Sequence, residues 1–91
     1  MVYEWDAAKR LANLRKHGLD FADAHLVYEN PDKVTLASNR SNELRMQDVA
    51  VVDIDGRLLT LIYVMRGYTV RVISFRRASV KERREYAEAK G

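Results

Sequence analysis

The chain has 91 residues, of which 47% are apolar and 32% charged. This composition is typical of a globular protein, and the length allows one domain, residues 1–91, without a second hydrophobic core. It has no cysteine, which excludes disulfides and thiol nucleophiles, and its longest apolar run, Leu58 to Met65, is too short to span a bilayer. The opening residues lack the apolar core of a signal peptide, so we expect a cytoplasmic protein with a net charge of +3.

The first predicted helix begins at Asp6, whose carboxylate can accept a free backbone N–H, and ends at Gly18. A short strand at residues 2–4 could precede it. Apolar residues recur along this helix at helical spacing and are expected to face the core: Ala7, Leu11 and Leu14. Its polar face is formed by Lys9, Asn13 and Lys16, with Arg10 and His17 beside it.

A second short helix is predicted from Phe21 to about Tyr28, with Asp20 as its N-cap. The residues Asn30-Pro31-Asp32 are typical of a turn and end it. From there to Arg77 the pattern changes to strands. The predicted strands cover residues 34–37, 46–54, 58–65 and 69–75, with Asp55-Gly56 and Arg66-Gly67-Tyr68 as the turns between the last three.

Ser79 and Glu82 have the spacing of a capping box, in which each side chain accepts a backbone N–H of the other residue. A closing helix is therefore predicted from Ser79 to about Ala89. The order of elements predicts an α+β fold with two N-terminal helices, an antiparallel sheet of about four strands and a C-terminal helix. We expect the helices to cover one face of the sheet and to leave the other partly open.

Several kinds of active site are absent from the sequence. There is no Gly-rich phosphate loop, no Ser nucleophile elbow and no HExxH motif. His17 and His25 are too far apart to form a local pair of ligands, and no cysteine can join them. We therefore expect no metal and no cofactor.

Basic residues concentrate toward the end of the chain. Residues 57–91 have nine basic and three acidic side chains, whereas residues 20–56 have three basic and eight acidic ones. Such polarity is typical of a surface that binds nucleic acid, although the same cations could instead solvate helices or pair with the acidic middle segment. Four arginines lie on or beside the last two predicted strands: Arg66, Arg71, Arg76 and Arg77.

Strict alternation along the last strand would place Arg71, Phe75 and Arg77 on one face and Val70, Val72 and Arg76 on the other. A guanidinium group presents a planar fork of donors that suits a phosphate and the charge that develops on it during transfer. The end of this strand is therefore the predicted phosphate site.

Three further residues have two interpretations each. His17 could transfer a proton near neutral pH, or donate to carbonyl groups at the end of its helix, and the residues alone favour the structural role. Tyr86 lies one turn past Glu82 and is expected to pack, although its phenol could reach the strand end. Trp5 and Phe21 are expected to belong to the core.

Two blocks of the sequence resemble the BrnT family, the toxin half of a bacterial type II toxin–antitoxin pair. The first block is Glu4-Trp5-Asp6 followed by Asn13 to Phe21 and Ala24, similar to the family's EWD and KHG opening. The second runs from Arg71 to Ser79 and continues with Glu82-Arg83-Arg84 and Tyr86. Between them the family's GE-x-R is replaced by Ser41-Asn42-Glu43-Leu44-Arg45.

The resemblance implies a RelE-like fold and metal-independent endoribonuclease activity that inhibits translation, with the 2′-hydroxyl of the RNA as nucleophile. It also implies a hetero-oligomer with a BrnA-type antitoxin, which has a ribbon-helix-helix domain and binds operator DNA. Two alternatives stay open: a nucleic-acid-binding module without catalysis, and a module that only docks a protein.

The resulting hypothesis places Arg76 on the scissile phosphate, with Arg66 or Arg71 as a second cation. His17 is a candidate proton-transfer group and Glu43 a weaker candidate base. Tyr86 could stack on a base or steady the leaving group. The residues expected to bind RNA around these catalytic candidates are Lys9, Lys16, Arg71, Arg77 and Tyr86.

Overall fold

The computed structural model describes residues 1–36 and 48–91. Five strands and three α-helices are formed in this part of the chain, together with one 3-10 turn at Phe21–Asp23. The strands are β1 (Val2–Glu4), β2 (Val34–Leu36), β3 (Asp48–Ile54), β4 (Arg57–Arg66) and β5 (Thr69–Arg77). The helices are α1 (Ala7–His17), α2 (His25–Tyr28) and α3 (Val80–Lys90).

All five strands join one sheet in the order β1-β5-β4-β3-β2. Neighbouring strands are antiparallel except at one edge, where β1 runs parallel to β5. The α+β class is confirmed, but the prediction of about four antiparallel strands was wrong in detail because residues 2–4 add a parallel edge strand. Residues 37, 46 and 47, which were assigned to strands, lie outside the described residues. No helix in the described part of the chain is long and apolar enough to cross a membrane.

The local signals at turns and helix ends are confirmed. The Asp6 carboxylate accepts the N–H of Lys9, and Gly18 ends α1 with φ +70°. Both residues of the β3–β4 turn have positive φ, +53° at Asp55 and +78° at Gly56, as a two-residue hairpin turn requires. The predicted second helix is interrupted: the 3-10 turn, capped by Asp20, is followed by the short α2.

The main hydrophobic core lies between one face of the sheet and the segment that contains α1, the 3-10 turn and α2. Phe21 and Val27 are almost completely buried there, and Trp5 packs edge-on against Phe21 with 6.5 Å between ring centroids. The placement of both aromatic residues in or beside the core is confirmed. The sheet contributes the inward-facing side chains of its three long strands, which include Val52, Leu59, Leu61, Val70, Val72 and Phe75.

Helix α1 faces the sheet with its polar side, so the prediction for its apolar residues was wrong. Leu11 remains 54% exposed and Leu14 40% exposed, while Asn13 is 8% exposed. Arg10, one turn before Asn13, forms a two-point ion pair with Asp20, and this pair together with the N–H of Ala22 lowers the pKa of Asp20 to about 2.

Asn13 takes this position because β5 needs a polar partner there. Strand β1 ends opposite Arg71, so it cannot pair with the backbone of Phe75 further along β5. The Asn13 amide donates to the Phe75 carbonyl at 2.7 Å, and its oxygen accepts the Phe75 N–H at 3.2 Å. Buried backbone groups without a hydrogen-bond partner are costly. The need of the Phe75 backbone for the Asn13 amide therefore fixes the rotation of α1 about its axis.

A β-bulge interrupts the alternation of side chains along β5. Ile62 of β4 lies opposite Ser74, but its neighbour Tyr63 lies opposite Val72, so Ile73 is an extra residue. The bulge keeps Phe75 on the same core-facing side as the valines before it and turns Arg76 to the other side. The predicted faces were therefore wrong for residues after Ile73.

Helix α3 packs on the opposite face of the sheet from α1 and α2. The expectation that all helices share one face was wrong. The Glu82 carboxylate accepts hydrogen bonds from the Thr60 hydroxyl at 2.9 Å, the Ser79 N–H at 2.8 Å and both terminal nitrogens of Arg76 at 2.8 and 3.0 Å. We name Arg76, Ser79, Glu82 and Thr60 the Glu82 cluster. No residue of α3 is itself buried, so we take this cluster as the main attachment of the helix.

We expect Asn13→Ala to lower the free energy of unfolding by about 1–3 kcal/mol, because the backbone groups of Phe75 lose their partner. Chemical denaturation followed by circular dichroism measures this. Asn30→Ala is the matched control, since Asn30 only accepts the N–H of Asp32 in an exposed turn, and it should cost clearly less. Equal losses from the two variants would contradict the proposed anchor.

The Glu82 cluster also predicts a dependence of stability on pH. Burial alone would raise the pKa of Glu82, but hydrogen bonds from Arg76, Ser79 and Thr60 outweigh burial and lower the pKa from 4.5 to about 2. The stability contributed by the ionised carboxylate is therefore present above about pH 4.5 and is lost as the pH falls toward 2.

Unfolding of the wild type and of Glu82→Gln, measured between pH 7 and 2.5, should converge below pH 4.5 for this reason. Glu85→Gln is the control, because Glu85 faces Lys81 at 3.9 Å in a surface pair of small energetic effect. A gap between wild type and Glu82→Gln that stays constant with pH would show that the ionised carboxylate contributes nothing.

Candidate nucleic-acid interface

A cleft of about 360 Å³ lies where the β3–β4 turn, the end of β5 and α3 meet. We call it the arginine cleft. Three of its lining residues are arginines, one is a tyrosine and the rest are small or apolar. The lining consists of Gly56, Arg57, Leu58, Arg77, Arg83, Tyr86 and Ala87.

The local sequence explains how these residues meet. The Asp55-Gly56 turn places Arg57 at the first position of β4, and the β4–β5 register places Arg77 opposite Leu59 near the same sheet end. The capping box starts α3 only two residues after β5, so that helix passes directly beside the strand end. Residues 83, 86 and 87 are spaced three and four apart and share one side of α3.

The three cleft arginines lack the carboxylate partners that several other arginines of the chain have. Arg57, Arg77 and Arg83 form no salt bridge with any carboxylate of the described residues, whereas Arg10 and Arg71 pair with Asp20 and Glu4. Two acidic residues precede the cleft residue Gly56 in the sequence, at positions 53 and 55, and the first of them accepts the N–H of Gly56 at 2.9 Å. The three arginines outnumber these two carboxylates. The cleft therefore presents a net positive charge to solvent, suited to an anion such as a phosphate.

Tyr86 gives the cleft a half-buried aromatic wall. The Nζ of Lys90, one helical turn further on, lies 5.7 Å from the centroid of its ring. A ring beside unpaired cations is the combination that binds single-stranded nucleic acid, because bases stack on the ring while the cations contact the backbone.

Arg76 borders the cleft but points its guanidinium into the Glu82 cluster. Its side chain is 26% exposed and that of Glu82 is 13% exposed. One terminal nitrogen also donates to the carbonyl of Arg77 at 3.2 Å. Of the two adjacent arginines named from the sequence, Arg77 lines the cleft and Arg76 holds the helix that forms its wall.

The other two strand arginines lie far from this end of the sheet. Arg66 is exposed beside the β4–β5 turn, seven residues along β4 from Leu59, which is about 23 Å at roughly 3.3 Å per residue. Arg71 is half-buried and bound to Glu4. Neither can share one phosphate with Arg76 or Arg77.

The candidates on α1 are also separate from the cleft. Lys9 and Lys16 are exposed and His17 is half-buried, on a helix that packs on the sheet face opposite α3. His17 ends α1, and its ring makes no hydrogen bond within the described residues. The remaining candidate, Glu43, lies outside the described residues.

Sequence reasoning missed two cleft residues, Arg57 and Arg83. A signal existed for each. Arg57 directly follows the predicted Asp55-Gly56 turn and starts β4, and antiparallel pairing with β5 brings the start of β4 beside the end of β5. Arg83 lies three residues before Tyr86 on the confirmed helix, so the two side chains had to point in similar directions.

The cleft is equipped for binding and charge stabilisation more than for proton transfer. Its lining contains no histidine and no carboxylate among the described residues. Nor do three His, Asp or Glu side chains converge anywhere in residues 1–36 and 48–91 in a way that could hold a metal ion. The chemical resource of this site is therefore a set of exposed arginines around a solvent-open space.

Comparison with known proteins agrees with this chemistry. A search of curated proteins found no match. The family model described as a ribonuclease toxin, BrnT, of type II toxin–antitoxin systems matches residues 5–82, so the resemblance seen in the sequence is confirmed. The match covers most of the chain and includes the Glu82 cluster, while Arg83 and Tyr86 lie just beyond it. This chain belongs to the BrnT family of ribonuclease toxins.

Proposed function

We propose that this chain is a metal-independent endoribonuclease whose RNA substrate binds in the arginine cleft. The observation that carries the proposal is the convergence of three arginines, without carboxylate partners among the described residues, on one half-buried tyrosine. In a ribonuclease toxin family, such a surface has the charge and the stacking wall that a single-stranded RNA requires.

Cleavage would proceed by attack of the RNA's own 2′-oxygen on the adjacent phosphorus. The 2′-hydroxyl loses its proton, the bond from O2′ to phosphorus forms and the bond from phosphorus to O5′ breaks. The products are a 2′,3′-cyclic phosphate and a 5′-hydroxyl, whose oxygen takes up a proton. Negative charge grows on the phosphate in the transition state, and guanidinium groups held in place stabilise it without themselves exchanging protons.

The geometry favours specific roles for the cleft residues. Arg77 and Arg83 are the first candidates to contact the scissile phosphate, because Arg77 ends β5 beside the Glu82 cluster and Arg83 lies on α3, three residues before Tyr86. Arg57 would hold a neighbouring phosphate, and Tyr86 would stack on a base. Glu43 remains a candidate base on sequence grounds alone, and we assign no proton-transfer role to His17.

Arg76 is better suited to positioning than to direct contact. Its two terminal nitrogens are both bound to Glu82, so reaching a phosphate would require breaking a two-point ion pair. By holding Glu82, it fixes the start of α3 and with it Arg83 and Tyr86. Arg66 and Arg71 are not needed in this scheme.

In the cell, the proposed activity would inhibit translation by destroying RNA. We further propose that a BrnA-type antitoxin with a ribbon-helix-helix domain neutralises it and represses the operon by binding operator DNA. These expectations rest on the family and not on the cleft.

The first prediction concerns cleavage itself. Purified, antitoxin-free protein should cut single-stranded RNA in excess chelator and leave 2′,3′-cyclic phosphate ends. Arg77→Ala and Arg83→Ala should each slow single-turnover cleavage about a hundredfold, the usual effect of removing one transition-state donor. Gel analysis of end-labelled RNA measures both the rate and the chemistry of the ends.

Arg66→Ala is the matched control, since Arg66 is exposed at the far end of the sheet, and it should cut at the wild-type rate within about twofold. The assay is repeated with translating ribosomes to include a ribosome-dependent enzyme. If both assays show RNA binding without cleavage, the proposal is wrong and a binding module remains. Equal losses from Arg66→Ala and Arg77→Ala would remove the site from the cleft.

The second prediction separates positioning from contact at Arg76. If Arg76 acts through Glu82, the variants Arg76→Ala, Glu82→Gln and the double variant should all release the same helix end. Their kcat values should then equal one another, and their KM values should be raised by the same factor over the wild type. Rates are measured well below the melting temperature of each variant. A loss of kcat in Arg76→Ala that Glu82→Gln does not share would instead assign Arg76 to the phosphate.

A further inference from the structure

The outward side of α1 is the least expected surface of the protein. Helix α1 directs Asn13 into the sheet, with Arg10 and His17 half-buried beside it, and leaves Leu11 and Leu14 to solvent. A helix of a monomeric protein normally shows the reverse arrangement, with leucines inward and polar residues outward. Ala7 lies one turn before Leu11 and is also exposed, so the apolar stripe follows the helix for about two turns.

One cation borders this stripe on the same side of the helix, since Arg15 directly follows Leu14 and lies four residues after Leu11. Arg15 is exposed and forms no salt bridge with a carboxylate in the described parts of the chain, whereas Lys9 and Lys16 lie on the other side of the helix beside Asn13. The contrast with Arg10 is direct, because that arginine turns toward the protein and pairs with Asp20. We call the exposed stripe and its cation the α1 outer face: Ala7, Leu11, Leu14 and Arg15.

The chemistry of the α1 outer face defines what could cover it. Two leucines and an alanine spaced three and four residues apart form a ridge that packs against the groove of another helix. The unpaired Arg15 beside the ridge favours a carboxylate on the helix that binds there. Nucleic acid would leave the leucines uncovered, and the stripe has no tryptophan or phenylalanine of the kind that anchors helices in a membrane surface.

A protein with this chemistry is implied by the family. A toxin of a type II system has a protein antitoxin as its partner. We propose that the α1 outer face is a docking surface for the antitoxin, and that the segment docked there is an amphipathic helix with a carboxylate beside its apolar row, opposite Arg15. Because no residue of α1 lines the arginine cleft, this contact holds the antitoxin without occupying the cleft.

The test is the affinity of the full-length protein for its cognate antitoxin, measured by isothermal titration calorimetry. Leu11→Ser/Leu14→Ser should fold normally, because both side chains are already exposed, and should raise Kd at least tenfold. Val80→Ser is the matched control: Val80 is 70% exposed on α3, on the other sheet face, and its Kd should stay within about threefold of the wild type.

The charge component has its own variant. Arg15→Gln should weaken binding at low salt and make the remaining affinity less sensitive to salt between 50 and 500 mM than in the wild type. If the leucine variant binds the antitoxin as tightly as the wild type, the proposal is wrong. Self-association of the free toxin and its binding to anionic vesicles are measured as well. If the leucine variant abolishes either of them and leaves antitoxin affinity unchanged, the surface belongs to that other occupant.

This result is independent of the proposed ribonuclease site. The leucine variant, freed of antitoxin, should cleave RNA at the wild-type rate. Absence of cleavage by the wild type would refute the proposed function and leave the affinity measurement intact, whereas unchanged affinity would refute the docking surface and leave the cleavage assay intact.

Discussion

The extra residue at Ile73 of β5 determines more of this structure than any other single feature. After it, Phe75 faces the main core and Arg76 faces the opposite side of the sheet. The backbone of Phe75 is then satisfied by Asn13 of α1, and the guanidinium of Arg76 by Glu82 of α3. Both long helices are thus attached to the sheet through two consecutive residues of one strand, and each attachment is polar.

The two polar attachments divide the protein into two working sides. Asn13 turns α1 so that its leucines meet solvent, which provides the surface that we assign to the antitoxin. Glu82 holds α3 beside the strand end, which forms the cleft that we assign to RNA. The same short stretch of β5 therefore links the proposed docking side and the proposed RNA-binding side, which share no residue.

Local signals in the sequence predicted most elements, because caps and turns depend on a few neighbouring residues. Asp6, Gly18, Asp55-Gly56 and the Ser79–Glu82 box all act where expected. The errors have one origin. Periodicity assumes that apolar residues face inward and that side chains alternate strictly along a strand. The first assumption fails at α1, where the buried backbone of Phe75 needs the Asn13 amide as its partner. The second fails at β5, where the bulge moves Phe75 to the other face. Arg76 was identified from its charge, but its pairing with Glu82 depends on the packing of α3 against the sheet, which no local pattern reports.

Helix α3 has no buried residue, yet it supplies Arg83 and Tyr86 to the cleft. The attachment described for it is the polar Glu82 cluster at its first turn, so the helix can separate from the sheet at a free-energy cost well below that of unfolding the core. Heating should then release α3 first, while the sheet and α1 stay folded. In such a protein, loss of RNA binding on warming would report the detachment of one helix and would precede the cooperative melting of the domain.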